Sequence, residues 1–367
     1  MNPHMYARIL VFAALLQVAL MYLPPLSWGL WKLHFAALEV SLLAALLGGA
    51  ALALGRGQPW VQGLSCVAML GGLLPALAAW PVYAREGIAF SPVAWLTGGS
   101  TTEVEITRDI QLAQGISADL YRARGEAPHP FVVVVHGGSW RSGDKGEVTH
   151  TSNALAAAGY TVIDVRYPLA SEAAFPAAIA GVKCAYAQVQ LRAAELGIDP
   201  SRGALLGRSA GGQIALTAAY AGAGIPSACG TQTDPPRAVI ALYAPTDLAW
   251  DHANPFVPDV VDGTAALEFY LGGTPQAAPD AYRQGTPMSW LDHPVPPTLL
   301  IHGTAERCVR PLNAERLRDA LLARGQVVET LLVPFADHGF DVRPGGIGDQ
   351  LSRAVILKFL AERLQKV

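Results

Sequence analysis

The chain opens with long apolar stretches that charged residues barely interrupt. No charge falls between Arg8 and Lys32, Glu39 alone falls between Lys32 and Arg56, and none falls between Arg56 and Arg85. Each interval is long enough for a helix to cross a hydrocarbon core, which takes about 20 residues. The pattern predicts three membrane spans, at about 9–23, 35–54 and 60–79, within a transmembrane region covering 1–84. Trp28, Trp31, Trp60, Trp80 and Tyr83 fall near the predicted ends, where amphipathic rings sit at a bilayer surface. Pro24-Pro25 closes the first span. A cleaved signal peptide accounts for the first segment alone, and no small-residue cleavage site follows it. Glu39, near the start of the second span, is expected to reach the interface.

Residues 85–102 read as a linker, and from about Ser100 the polarity returns. Strand-like and helix-like segments then alternate through 103–367. An alternating run starts at Val104–Ile106 and continues through Leu112, and Ala118–Tyr121 is a second short strand. Phe131–Val135 and Thr161–Val165 are continuous, largely β-branched runs, as in strands buried on both faces. Ala204–Leu206, Ala238–Leu242, Thr298–Ile301 and Val327–Val333 complete the strand set. Helical spacing marks Ala173–Leu196, Gln213–Tyr220, Leu312–Ala323 and Gln350–Leu364. Such alternation predicts an α/β domain with a mostly parallel sheet and helices on both faces. The segment Ala244–Pro296 is long for a connection and rich in Pro and Gly, as substrate walls often are.

Bulk properties sharpen this picture in two ways. Charged residues make up only 15% of the 367 and the mean hydropathy is +0.30, consistent with a membrane-embedded part. The net charge of −3 gives no reason to expect a nucleic-acid partner. Positive charge does not orient the spans, because Arg8 and Arg56 balance Lys32 and Arg85. The short, weakly charged N-terminal tail favours an N-terminus in the cytoplasm. The large domain is then expected on the periplasmic side of a bacterial inner membrane. Of four cysteines, Cys66 lies in the third span; Cys184, Cys229 and Cys308 leave room for one disulfide that the sequence does not choose. No Cys/His spacing suggests a structural metal.

The chemistry concentrates in four short stretches. Gly207-Arg208-Ser209-Ala210-Gly211 follows an apolar strand and precedes a helix. A serine between glycines at such a turn is a nucleophile elbow, which lifts Ser209 above the sheet at a helix N-terminus. Upstream, His136-Gly137-Gly138-Ser139-Trp140 follows a buried strand. The backbone N–H groups of Gly138 and Ser139, with that of Ala210, suit an oxyanion hole, while Gly137 shapes the turn. Glu306, in a loop after a late strand, is the candidate carboxylate that orients a histidine; Asp247 competes for that role, and His302 reads as loop-shaping. His338, after the final strand, is the candidate general base. Trp140 is the candidate wall of the acyl pocket, against a packing role under the sheet edge.

The order Ser, then carboxylate, then His, with glycines upstream, is that of an α/β-hydrolase. With these residues the 103–367 region resembles the acetyl-esterase/lipase group related to hormone-sensitive lipase. It is most similar to the branch of bifunctional acetylxylan/feruloyl esterases and kynurenine formamidase-like enzymes. His136–Lys145, Asp164–Tyr167, Phe175–Ala178, Gly207–Gly212 and Asp337–Phe340 carry the resemblance. Two positions depart from it: Glu306 stands where Asp is usual, and Ser139 replaces a third glycine. The resemblance implies serine ester hydrolysis through an acyl-enzyme, short acyl groups on small-molecule, carbohydrate or lipid esters, and no metal or organic cofactor. It does not extend to the N-terminal spans. An arylformamidase-like amide hydrolase, a serine peptidase of the same fold and a catalytically dead membrane scaffold are the alternatives.

Overall fold

The computed structural model describes residues 2–99 and 103–365, so the last residues of the expected linker (100–102) lie outside the described residues. The chain begins with five helices: α1 (Pro3–Tyr22), α2 (Trp28–Glu39), α3 (Ser41–Leu54), α4 (Pro59–Glu86) and α5 (Pro92–Thr97). α1 and α4 are long and apolar enough to cross a membrane. Their outward faces are apolar too, with Ile9, Phe12, Leu16, Leu70, Leu77 and Trp80 all exposed. α3 packs on α4 through small residues, Gly48 against Ser65 and Met69, and Ala44 and Ala45 against Gly72. Small residues at a helix interface let backbones approach closely, which is how helices pack where the surroundings are as apolar as the contact.

The expected span over 35–54 is not one helix. The chain breaks at Val40, and α2 and α3 meet at a bend of 68°, so the pair counts as a third span only if it crosses as a broken one. Gln17 of α1 stabilises the break by donating to the carbonyls of Ala37 (3.2 Å) and Val40 (2.9 Å). Interior proline is absent here; α2 is instead drawn onto the polar domain, as described below. Glu39 also departs from expectation. Its Oε2 is buried and lies against Gly346 of that domain rather than at an exposed surface.

The rest of the chain forms one eight-stranded sheet with flanking helices. In chain order these are β1 (Ile106–Ala113), β2 (Ile116–Tyr121), β3 (His129–Val135), α6 (Thr149–Ala157), β4 (Thr161–Arg166), α7 (Ala177–Leu191), α8 (Ala193–Leu196), β5 (Ile198–Arg208) and α9 (Ala210–Tyr220). They continue with β6 (Ala238–Leu242), α10 (Leu248–Ala253), α11 (Gly263–Leu271), α12 (Pro279–Gly285), β7 (Thr298–Gly303), α13 (Leu312–Leu322), β8 (Val328–Val333) and α14 (Ile347–Arg363). The strand order is β1-β2-β4-β3-β5-β6-β7-β8. β1–β2 and β2–β4 pair antiparallel and every later pair is parallel.

Alternation along the central strands builds two cores. Val133, Val135 and Leu205 face one side with α7, α9 and α13. Val132, Val134, Ala204 and Leu206 face the other with α6 and α14. The second core also takes Ala79 and Tyr83 from the end of α4, and the Tyr83 hydroxyl donates to Ile347 O at 2.7 Å. The expected linker is docked as well: Ser91 and Gln350 bond reciprocally, at 2.8 and 3.1 Å. The apolar helices are therefore packed into the α/β domain rather than tethered to it.

A disulfide joins Cys184 of α7 to Cys229 in the loop after α9, leaving Cys66 and Cys308 free. Denaturation without reductant, followed by a maleimide, should modify Cys66 and Cys308 alone. Prior reduction should expose all four cysteines, read as the added mass. Four modified cysteines in carefully oxidised protein would contradict the pairing.

Candidate active site

The site is built where strands β3, β5, β6, β7 and β8 end. β5 stops at Arg208, and Ser209 follows with φ 53° and ψ −123°. Such a backbone is costly for a residue with a side chain, and it persists only when the surroundings fix it. They do so through the flanking glycines. A Cβ at Gly207 would fall 2.1 Å from Gly211 O, and one at Gly211 would fall 2.2 Å from His136 O. The turn is thus clamped between its own helix and the end of β3, and the Ser209 hydroxyl projects from it into a cleft.

The structure brings the three expected side chains together. His338 Nε2 lies 2.9 Å from Ser209 Oγ, and His338 Nδ1 lies 3.0 Å from Glu306 Oε2. A carboxylate only accepts, so Nδ1 carries the proton and Nε2 is free to accept from the serine hydroxyl. The second Glu306 oxygen accepts from the backbone N–H groups of Cys308 (2.7 Å) and Val309 (3.1 Å). His302 lies behind this loop. It donates to Val309 O at 2.9 Å and sits 3.8 Å from Glu306 Oε2, the position of a loop-shaping residue. Asp247 is elsewhere: it caps α10 by accepting from Trp250 N (3.1 Å) and pairs with Arg316.

The upstream turn faces the serine. Gly138, Ser139 and Trp140 all line the cleft and have positive φ (111°, 52° and 59°), a backbone sense found in turns whose N–H groups form anion-binding concavities. Among the described residues, no protein group accepts the N–H of Gly138, Ser139 or Ala210. Gly138 O holds the loop by accepting from Arg141 N and Ser142 N. Trp140 lines the cleft yet is itself only 5% exposed. Its indole donates to Gln213 Oε1 at 2.8 Å and stacks on Tyr270 at 4.7 Å, so it serves as both wall and packing.

Charge around the imidazole is arranged to favour its protonation. Burial alone pushes the Glu306 carboxyl up, but the neighbouring His338, its hydrogen bond, His302 and the Cys308 N–H outweigh that and hold it below the usual range. Burial likewise pushes His338 down, and the charge and hydrogen bond of Glu306 outweigh it, raising His338 above its ordinary value. Asp337, next to it, is raised by burial and by the Glu306 charge. Glu306, Cys308 and His338 are the one set among the described residues with atoms close enough to share a metal ion. Two of them already bond each other, and burial pushes the Cys308 thiol up, away from the thiolate that binds metals.

Several contributors escaped the sequence reading. Arg208 pairs with Asp341 at 2.6 Å, and Asp341 accepts from the Tyr243 hydroxyl at 2.7 Å. The Tyr243 ring lies 4.6 Å from that of His338. The cleft holds about 600 Å³. Its lining comes in part from the long connection, including Phe256, Val260 and Leu267, and in part from Trp28 and Trp31 of α2. Those tryptophans carried only an interfacial signal in the sequence.

Comparison with known proteins identifies the family. The sequence model of the BD-FAE family matches residues 118–321. Esterase LipC of Mycobacterium tuberculosis is 29% identical over 243 residues, covering 63% of this chain and 58% of that protein. Carboxylesterase NlhH of the same organism is 32% identical over 236 residues, covering 58% of this chain and 66% of that protein. The chain thus spans about three fifths of the length of these curated relatives. Among solved structures, Esterase B from Lactobacillus rhamnosis superposes with a TM-score of 0.62 at 20% identity, covering 79% of this chain and 95% of that one. The chain has the α/β-hydrolase fold, and it belongs to the BD-FAE family, whose model spans more than half of it.

Proposed function

We propose that the protein is a membrane-anchored serine carboxylic-ester hydrolase acting through an acyl-enzyme on short acyl esters. The observation that carries this reading is the continuous hydrogen-bonded line from Ser209 Oγ through His338 to Glu306. Ser209 Oγ attacks the ester carbonyl while His338 Nε2 takes its proton. Glu306 holds the ring in the required tautomer and stabilises the imidazolium. The carbonyl oxygen, now negative, is received by the free N–H groups of Gly138, Ser139 and Ala210. Collapse breaks the bond to the alcohol, which leaves with the proton from Nε2. Water then gives a proton to Nε2 and attacks the acyl-serine; the bond from the acyl carbon to Ser209 Oγ breaks, Oγ takes the proton back from Nε2, and the acid leaves. The resemblance to LipC and NlhH, an esterase and a carboxylesterase by name, supports ester over amide substrates. Short acyl groups are what the family resemblance implies, with Trp140, stacked on Tyr270, as a wall of the cleft.

Membrane anchoring rests on α1 and α4, with their length, outward apolar faces and small-residue packing. The α/β domain is assigned to the periplasmic side. The Cys184–Cys229 disulfide supports this, since such bonds persist in oxidising compartments. A phosphatase reporter that requires export, fused after Val367, should be active; a fusion active only in the cytoplasm contradicts the assignment.

Replacement Ser209→Ala should lower turnover of p-nitrophenyl acetate by roughly a thousandfold or more, with the fold retained. Near-full activity in that variant would sink the reading. Acetyl esters should be turned over faster than octanoyl esters, and faster than aryl formamides.

The reaction needs neutral His338, whose pKa lies above the ordinary histidine value of 6.5. The acid limb of kcat/KM should therefore have its midpoint above 6.5, the rate falling as pH drops through it. In Glu306→Gln the raising charge is gone and burial remains, so the limb should move to lower pH. The plateau should fall by about a thousandfold or more. An unmoved limb in that variant would remove Glu306 from its assigned role.

A further inference from the structure

The helix α2 reaches the histidine loop directly. The Trp31 indole N–H donates to Asp337 Oδ2 at 2.8 Å, a bond that is buried and closes over 306 positions of sequence. The other oxygen of the same carboxylate accepts from two backbone N–H groups, those of His338 (2.7 Å) and Arg307 (2.8 Å). Arg307 follows Glu306. One carboxylate therefore ties the loop that carries the imidazole to the loop that carries its orienting glutamate, and Trp31 holds that carboxylate from outside the domain. Phe35, one turn further along α2, lies against Gly339, and Trp31 stacks on both Phe35 and Trp28.

From these contacts we infer that Trp31 is a positioning residue for His338, acting through Asp337, and that α2 is a working part of the active site. The inference rests on the proposed serine-hydrolase reading. It explains why the chain breaks at Val40: α2 serves the hydrolase loops while α3 continues among the apolar helices. It also gives the N-terminal region a role in turnover beyond attachment. A reacting pair such as Ser209 and His338 tolerates little misplacement, and support from a rigid element is what holds it.

The groups that face Asp337 set the sign of the pH readout. They are His34 of α2, with Nε2 3.7 Å away, and Glu39 at the end of that helix, together with Glu306, Arg307, Cys308 and His338. The charge of Asp341 also raises His338. A donated hydrogen bond favours the charged carboxylate, and that charge raises His338. Removing the indole N–H leaves Asp337 less ionised, so His338 should release its proton at lower pH.

The test is Trp31→Phe in the full-length protein in detergent, with Trp95→Phe as the matched control. Trp95 is also a buried N-terminal tryptophan packed on the α/β domain, but its indole N–H has no partner among the described residues. Trp31→Phe should lower kcat on p-nitrophenyl acetate about tenfold, as expected when a supporting contact is lost, and move the acid limb to lower pH. Trp95→Phe should do neither. The double variant Trp31→Phe/Asp337→Asn should lose no more than Asp337→Asn alone, because Trp31 acts only through that carboxylate. The rate of Ser209 labelling by a fluorophosphonate against pH reads the same limb without any ester. It therefore separates failure of this inference from failure of the ester assignment. Unchanged kcat and limb in Trp31→Phe, equal losses in Trp31→Phe and Trp95→Phe, or additive losses in the double variant would each overturn it.

Discussion

The imidazole of His338 must reach Ser209 from the far side of the sheet, and the rest of the site is arranged around that constraint. Ser209 follows β5 and His338 follows β8, three places away in the strand order. At about 4.8 Å per strand the two ends stand roughly 14 Å apart, more than any histidine spans. The loop after β8 therefore has to lean back across the ends of β7 and β6. Three contacts hold it there. Asp337 is pinned to the loop after β7 through Arg307 N. Tyr243, at the end of β6, lies under the imidazole and packs edge-on against Phe340. Asp341 reaches Arg208 at the end of β5.

The last of these contacts is an ion pair buried in the protein, and such pairs cost much in desolvation unless their remaining polar atoms are satisfied. Asp341 meets that condition with the Tyr243 hydroxyl as well as Arg208, whereas Arg208 Nη2 is buried without a partner among the described residues, a cost the pair carries. A hydrophobic pair would fill the same volume, but it would not fix the loop at a defined distance and angle. The geometry of Ser209 Oγ and His338 Nε2 thus depends on polar contacts whose value lies in direction rather than in net stabilisation. Glu306 follows the same logic, with both oxygens committed to the imidazole and to backbone N–H groups.

What the sequence made legible was local. The strands at Phe131–Val135, Thr161–Val165 and Ala238–Leu242 are apolar runs that leave little choice, and they occur within a residue or two of where the pattern puts them. The turn at Ser209 declares itself because Gly207 and Gly211 admit no side chain. Ser209, Glu306 and His338 each follow a strand end, so a parallel sheet gathers them on one edge. Features that depend on tertiary contact were not legible. Helices α6, α10 and α11 run for only nine, six and nine residues, too short for a helical period to show. The choice of Cys229 for Cys184 follows from how the loop after α9 returns over α7. Trp31 has the composition of an interfacial residue and the position of a site residue, and only the bond to Asp337 distinguishes the two. Glu39 was misplaced for the same reason, since its side chain answers to Gly346, far along the chain.

The N-terminal helices and the α/β domain thus meet at the loop that carries His338, and the central claim remains chemical: Ser209 becomes acylated during turnover. Acid quenching of the protein during hydrolysis of p-nitrophenyl acetate, followed by peptide mass mapping, tests it directly. The account predicts an acetyl increment on the peptide containing Ser209, absent when His338 is replaced by alanine. Steady turnover with no increment at Ser209, or with the acyl group on another side chain, would contradict it.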